Sequence, residues 1–230
     1  MIEALGYNWI VGRNWGLAHP DHICYADSKC VKICDSGKIE LGILKDPDTF
    51  NDKLYTWGVG YISSVEVIKY GTLDIDFTLP SGNQLWPAIW MYDCKTWPPE
   101  IDIVEGWSGS FINSSYLRCP FLNKIFPGIV LESGLGRSGG FLGKGTLSCY
   151  IKKNGINTCS LLWTPEKMEV RYNGKLVMRE KDPRRIEELN KSNGMNIHLQ
   201  NYVTNDFTEE DYREIERQNL EIYRIKYKEL

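Results

Sequence analysis

A period-two alternation of apolar and polar residues constrains this chain more than any other feature. In "GTLDIDFTL", residues 71 to 79, Leu73, Ile75, Phe77 and Leu79 fall on one side; Asp74, Asp76 and Thr78 fall on the other. Successive side chains of a strand point to opposite faces, so the segment reads as a half-buried antiparallel strand. The same logic recurs along the chain. "VKICDSGKIELGIL" reads as two strands around an Asp35-Ser36-Gly37-Lys38 turn. The run from Val59 to Tyr92 is broken at Tyr70-Gly71 and at Pro80-Ser81-Gly82. In "SLLWTPEKMEVRYNGKLVMRE", Met168, Val170 and Tyr172 alternate, Asn173-Gly174 turns the chain, and Leu176 and Met178 resume. "NLEIYRIKYKEL" alternates as a last strand.

Helix is scarce. "DPRRIEELNKSNG" has Pro183 in a first-turn position and Gly194 near its end; "TEEDYREIERQ" has Thr208 as a cap and acids in its first turn. Both read as polar decorations on a β body. Residues 119–147 are rich in Gly, Pro and Ser with little period and read as long loops. No repeat and no linker divides the chain. The expectation is an all-β fold: one β-jelly-roll sandwich domain, concanavalin A-like, over residues 5–230, with a concave substrate cleft and short helical decorations.

Bulk composition narrows the function classes. A net charge of −3 gives no electrostatic pull toward nucleic acid or an anionic membrane. No segment is long and apolar enough to span a bilayer, and no signal peptide follows Met1. Aromatics reach 12%, with 8 Trp and 13 Tyr, which suits a large β core or a carbohydrate-binding cleft. The 7 cysteines are odd in number, so a monomer, the expected state, keeps at least one free.

One strand breaks the ordinary pattern. "WPPEIDIVEGW", residues 97 to 107, carries Glu100, Asp102 and Glu105 among Ile101, Ile103 and Val104. Alternation puts Glu100 and Asp102 on one face and Glu105 on the other. One extra residue, a β-bulge, brings Glu105 back beside them. Like charges at neighbouring same-face positions cost stability, and a solvated strand gains nothing from them; they mark a site. Two carboxyl groups about 5–5.5 Å apart are what a retaining glycosidase needs, one as nucleophile and one as acid/base.

The surrounding residues carry a resemblance. Tyr70-Gly71, Leu79-Pro80-Ser81-Gly82, Trp86 to Trp90, and Glu100 to Glu105 follow in the order found in the core of glycoside hydrolase family 16. "LLWTPEKMEVRYNGKLV" and the terminal "IYRIKY" are similar to two further family strands. The six-residue acidic motif resembles the bulged branch, which spans laminarinases and galactan hydrolases. The resemblance implies a retaining, endo-acting hydrolase of β-glycans, with Glu100 as nucleophile, Asp102 as assisting acid and Glu105 as acid/base. It implies a β-1,3- or mixed-linked β-glucan first. A β-galactanase, a transglycosylase and a non-catalytic binding module are the alternatives. It also implies an extracellular or periplasmic location, although no signal peptide is visible in the sequence.

The sequence departs from the family in places. A cleft histidine after the acids is not found; His19, His22 and His198 are the only histidines. Many members bind a structural calcium through an Asp at the start of the last strand. Ile222, beside Glu221, stands nearest that position, which argues against calcium, and no cofactor is expected. Trp86 and Trp90 share a face and, with Trp97 and Trp107 flanking the acids, are the candidate sugar platforms; Trp57 and Trp163 read as structural. His19, His22, Cys24, Cys30 and Cys34 would suffice for zinc, but the spacing is loose and buried cysteine is the commoner role.

Overall fold

The computed structural model describes residues 1–13, 16–93, 95–107, 124–131, 150–152, 154–215 and 217–230, the side chains of 107 and 124–126 excepted. In the first third of the chain lie β1 (Ile2–Ala4), β2 (Tyr7–Val11), β3 (Cys24–Ala26), β4 (Val31–Ile33), β5 (Ile39–Leu41), β6 (Ile43–Phe50), β7 (Lys53–Val59) and β8 (Tyr61–Ile68). The middle supplies β9 (Gly71–Thr78), β10 (Leu85–Tyr92), β11 (Glu100–Trp107) and β12 (Lys124–Val130). Then follow β13 (Asn157–Trp163), β14 (Met168–Tyr172), β15 (Lys175–Glu180), α1 (Pro183–Leu189), β16 (Met195–Val203), α2 (Glu209–Arg213) and β17 (Leu220–Glu229).

Among the described residues, two seven-stranded antiparallel sheets form the body. The front sheet runs β1-β2-β8-β16-β10-β11-β12; the back sheet runs β15-β14-β13-β9-β17-β5-β4. A third, three-stranded sheet, β3-β7-β6, contains a parallel pair between β3 and β7. The core forms where the apolar faces meet. Ile62, Ile89, Met91, Ile101, Val104, Ile197 and Leu199 come from the front sheet; Leu73, Ile75, Phe77, Leu161, Val170 and Ile222 come from the back. Each such side chain contributes roughly 1.5–3 kcal/mol by leaving water. The alternation of β9 is the expected one, with Leu73, Ile75 and Phe77 buried and Asp74 and Asp76 half-buried.

The hairpins follow their turn residues. Asn173 and Gly174 both have positive φ, 47° and 80°, the left-handed pair that a two-residue hairpin requires. A register shift between Val170 and Arg171 changes the far side of that hairpin. Leu176, opposite Arg171, is therefore exposed, while Met178 is buried. Asp182 caps α1, Pro183 opens it, and Thr208 caps α2 in a capping box with Asp211. α1 is more than a polar decoration, because Ile186 and Leu189 are buried in the core. Among the described residues, no helix is long and apolar enough to cross a membrane.

One expectation fails outright. The segment 119–147 read as loop, yet β12 lies within it and pairs with β11. Pro127-Gly128 obscured the strand in the sequence. Among the described residues β12 is the last strand of its sheet, a position where proline is admissible. The rest of 119–147, apart from Leu131, lies outside the described residues.

Candidate active site

The acidic strand β11 sits between β10 and β12. On β10 the partners are Tyr92 for Glu100, Trp90 for Asp102 and Ala88 for Glu105. Positions 88, 90 and 92 alternate regularly and share the face turned away from the core. The three acids therefore share that face as well. The expected bulge makes this possible: the register shifts between Asp102 and Glu105 against β12, and between Ile89 and Trp90 against β10. Both Ile103 and Val104 remain in the core. Tyr172, from the back sheet, donates a 2.8 Å hydrogen bond to the Ile103 carbonyl. A bulge leaves backbone groups without ladder partners, and this bond satisfies one of them.

The two outer acids are each held by an indole. Trp86 Nε1 donates to Glu105 Oε1 at 2.9 Å, and Trp97 Nε1 donates to Glu100 Oε2 at 2.9 Å. Asp102 lies between them and is buried. Burial, then the charges of Glu100 and Glu105, push its carboxyl well above the ordinary range. Burial also raises Glu100, while the Trp97 N–H and the positive charge of Arg13 pull it back. The strand thus carries one acid whose burial and neighbours favour its protonated form, and another, Glu100, on which the effect of burial is partly offset by Trp97 and Arg13.

An aromatic floor extends from the acids across the sheet. Trp90 stacks on Tyr92 at 5.2 Å and on His198 at 4.5 Å, and its Nε1 donates to Gln200 at 3.1 Å. His198 Nδ1 lies 2.8 Å from Ser63 Oγ and 3.0 Å from Tyr61 Oη. Ser63 Oγ donates to the Gly12 carbonyl at 2.6 Å, so Nδ1 carries the ring proton toward the serine. Burial, with Arg13 nearby, holds His198 well below its usual range and therefore neutral. The Arg13 guanidinium carbon lies 5.0 Å from the centroids of both Tyr61 and Trp90, within cation–π range.

The candidate tryptophans differ in exposure. Trp97 is 48% exposed beside Glu100, and Trp86 is half-buried, edge-on to His22 and Tyr202. Trp90 is buried, its ring covered by Tyr92, His198 and Arg13. The side chain of Trp107 lies outside the described residues. Trp57 and Trp163 are buried, as expected of structural residues. The sequence offered no signal for Arg13, Tyr61, Tyr172 or Gln200. The sequence pattern gives no cleft histidine after the acids, yet His198 lies on the same face as the acids, in register with Trp90.

The zinc candidates separate. Cys24, Cys30 and Cys34 are free thiols, and burial pushes Cys24 and Cys30 up to about 12. Cys30 ends a 3₁₀ turn and Cys34 follows β4. Among the described residues no cluster of metal-ligating side chains is present.

On comparison with known proteins, no protein-family model matches the chain. The glucan endo-1,3-beta-glucosidase A1 of Niallia circulans is 29% identical over 102 residues, 40% of this chain. That stretch is 15% of the relative's length. The laminarinase of Flavobacterium sp. UMI-01 superimposes with a TM-score of 0.71 at 20% identity, over 99% of this chain and 94% of that one. Porphyranase B of Zobellia galactanivorans superimposes with a TM-score of 0.67 at 12% identity, over 95% and 84% respectively. The chain has the β-jelly-roll sandwich fold of these structures.

Proposed function

We propose that this chain is a retaining, endo-acting glycoside hydrolase of the family 16 type, cleaving internal β-linkages of a polysaccharide. The observation that carries the reading is the bulged strand β11, which sets Glu100, Asp102 and Glu105 on one face. Glu100 attacks the anomeric carbon while Glu105 protonates the leaving oxygen; Glu105 then activates water to release the sugar. Asp102, protonated, lies between the two glutamates and orients Glu100. The unit is one domain over residues 5–230, acting as a monomer.

The leading substrate is a β-1,3- or mixed-linked β-glucan, supported by the partial likeness to a glucan endo-1,3-beta-glucosidase and the shared laminarinase fold. A β-galactan is the second reading, supported by the similar superposition on a porphyranase. A reducing-end assay on laminarin, barley glucan, agarose, porphyran and carrageenan tests both, with wild type and Glu100→Gln side by side. Release by wild type alone supports the enzyme and names its polymer. Equal release by Glu100→Gln overturns the role of Glu100.

We also propose that the fold needs no structural calcium, because a lysine supplies the cation. Lys38 Nζ lies 2.7 Å from both Glu40 Oε1 and Glu221 Oε1. Glu221 also accepts from Thr78 and Tyr223 at 2.8 and 2.5 Å. The hydrogen bonds to Glu221 and Glu40 hold Lys38 above its usual range, so it stays charged.

A further inference from the structure

Three acids on one buried face set a problem that the strand cannot solve itself. A nucleophile must be ionised, yet burial opposes ionisation of Glu100. The described groups that face this region from the other elements are Tyr92 on β10, His198 and Tyr202 on β16, Tyr61 on β8, His22 before β3, and Arg13 after β2. His198 is neutral, and burial, then the charge of His19, lowers His22 to about 4, so neither brings a positive charge at neutral pH. The tyrosines are uncharged there; Tyr61 and Tyr202 are raised by burial.

Arg13 is different in kind. A guanidinium does not lose its proton in a protein, so its charge is fixed. Its place is fixed as well. The backbone of Arg13 exchanges hydrogen bonds with Gly16, both 3.1 Å. Gly12, at φ 78°, has no room for a side chain: a Cβ there would meet the Gly16 carbonyl at 2.9 Å. The guanidinium faces the Tyr61 and Trp90 rings, each 5.0 Å away, and Trp90 is the register partner of Asp102, in the middle of the acidic strand.

We propose that Arg13 is a positioning residue for Glu100, the fixed positive charge that keeps this carboxyl available as the nucleophile. The inference rests on the glycosidase reading for its meaning, but its physical content is separate. Geometry places Arg13 over this face: its guanidinium sits on Trp90, the cross-strand partner of Asp102, and Trp90 stacks on Tyr92, the cross-strand partner of Glu100. A merely structural arginine, valued for its contacts with two rings, would leave the titration of Glu100 unchanged when replaced by a neutral residue of similar length.

The test is carboxyl-detected NMR titration of Glu100 in wild type, Arg13→Gln and Arg13→Lys, with thermal unfolding of each to confirm the fold. The expected result is an upward shift of the Glu100 midpoint by about one pH unit in Arg13→Gln, with Arg13→Lys close to wild type. On the polymer that wild type cleaves, the acid limb of kcat/KM moves by the same amount in the same direction. A Glu100 midpoint unmoved in folded Arg13→Gln overturns the proposal. The two readings fail separately: an inactive wild type contradicts the glycosidase, whereas the titration tests Arg13 without turnover.

Discussion

Tyr172 and Ile103 are joined through the middle of the core by a 2.8 Å hydrogen bond, from a phenol on one sheet to the carbonyl of a bulged residue on the other. The site on the outer face depends on this internal bond. The bulge returns Glu105 to the side of Glu100 and Asp102, and the bulge leaves a carbonyl that the ladder does not serve. Tyr172→Phe keeps the ring and removes the donor. It is expected to cost ~1–3 kcal/mol, the range for an unsatisfied buried polar group, and to lower kcat at least about tenfold by loosening the acids. Thermal unfolding and kinetics on one polymer measure both. Unchanged stability with unchanged kcat would remove Tyr172 from the account.

Asp102 makes activity and stability oppose each other. Its folded-state carboxyl is raised well above the usual range, first by burial and then by Glu100 and Glu105. Between the unfolded value, about 4, and the folded one, the native protein holds a proton that the unfolded chain has lost. Stability contributed by this group is therefore greatest at low pH and falls as pH rises through that window. Asp102→Asn cannot ionise, so it should melt higher than wild type near neutrality, by about 2–4 °C for each kcal/mol relieved, while turnover falls. The difference should vanish near pH ~4. A lower melting temperature at neutral pH would contradict the raised carboxyl.

Trp97 tests the support of Glu100 from the other side. Its indole N–H reaches Glu100 while its ring is largely exposed. Trp97→Phe removes the donor and keeps an aromatic face. The acid limb of kcat/KM should move to higher pH, because a hydrogen bond to the ionised carboxylate is lost, with little change in KM. Trp97→Ala should raise KM in addition if the ring also carries sugar. An acid limb that stays in place in Trp97→Phe would show that the indole bond does not act on ionisation.

Lys38 tests the calcium question. EDTA should leave the melting temperature of wild type unchanged. Lys38→Met leaves Glu40 and Glu221 facing each other without their shared cation, a loss of ~1–3 kcal/mol and so of several degrees. A wild-type melting temperature that falls in EDTA and returns with calcium would refute the substitution of lysine for metal.

The sequence revealed those parts of the fold where one face is dry and the other wet. β9 was plain because Leu73, Ile75 and Phe77 are buried against Asp74 and Asp76 at the surface. The Asn173-Gly174 turn was plain because few residues adopt its dihedrals. β12 was hidden because Pro127 reads as a breaker, although the last strand of the sheet among the described residues tolerates it. Leu176 was misplaced because a bulge at Val177 in β15 inverts its facing. The acids were legible because like charges at close spacing are costly and conspicuous. Arg13, Tyr61 and His198 were not, because they reach the site from three separate strands or turns, and pairing order is not written in any local pattern. Trp90 matched a sugar-platform position, but only the packing shows Tyr92, His198 and Arg13 over its ring.

The measurement that tests the central claim most directly is the anomeric configuration of the first product, followed by proton NMR as wild type cleaves a β-linked polymer. Double displacement through Glu100 predicts that the β-anomer appears first and that the α-anomer grows in later by mutarotation. An α-anomer appearing first would contradict the assignment of Glu100 and Glu105 as nucleophile and acid/base on one face of the bulged strand.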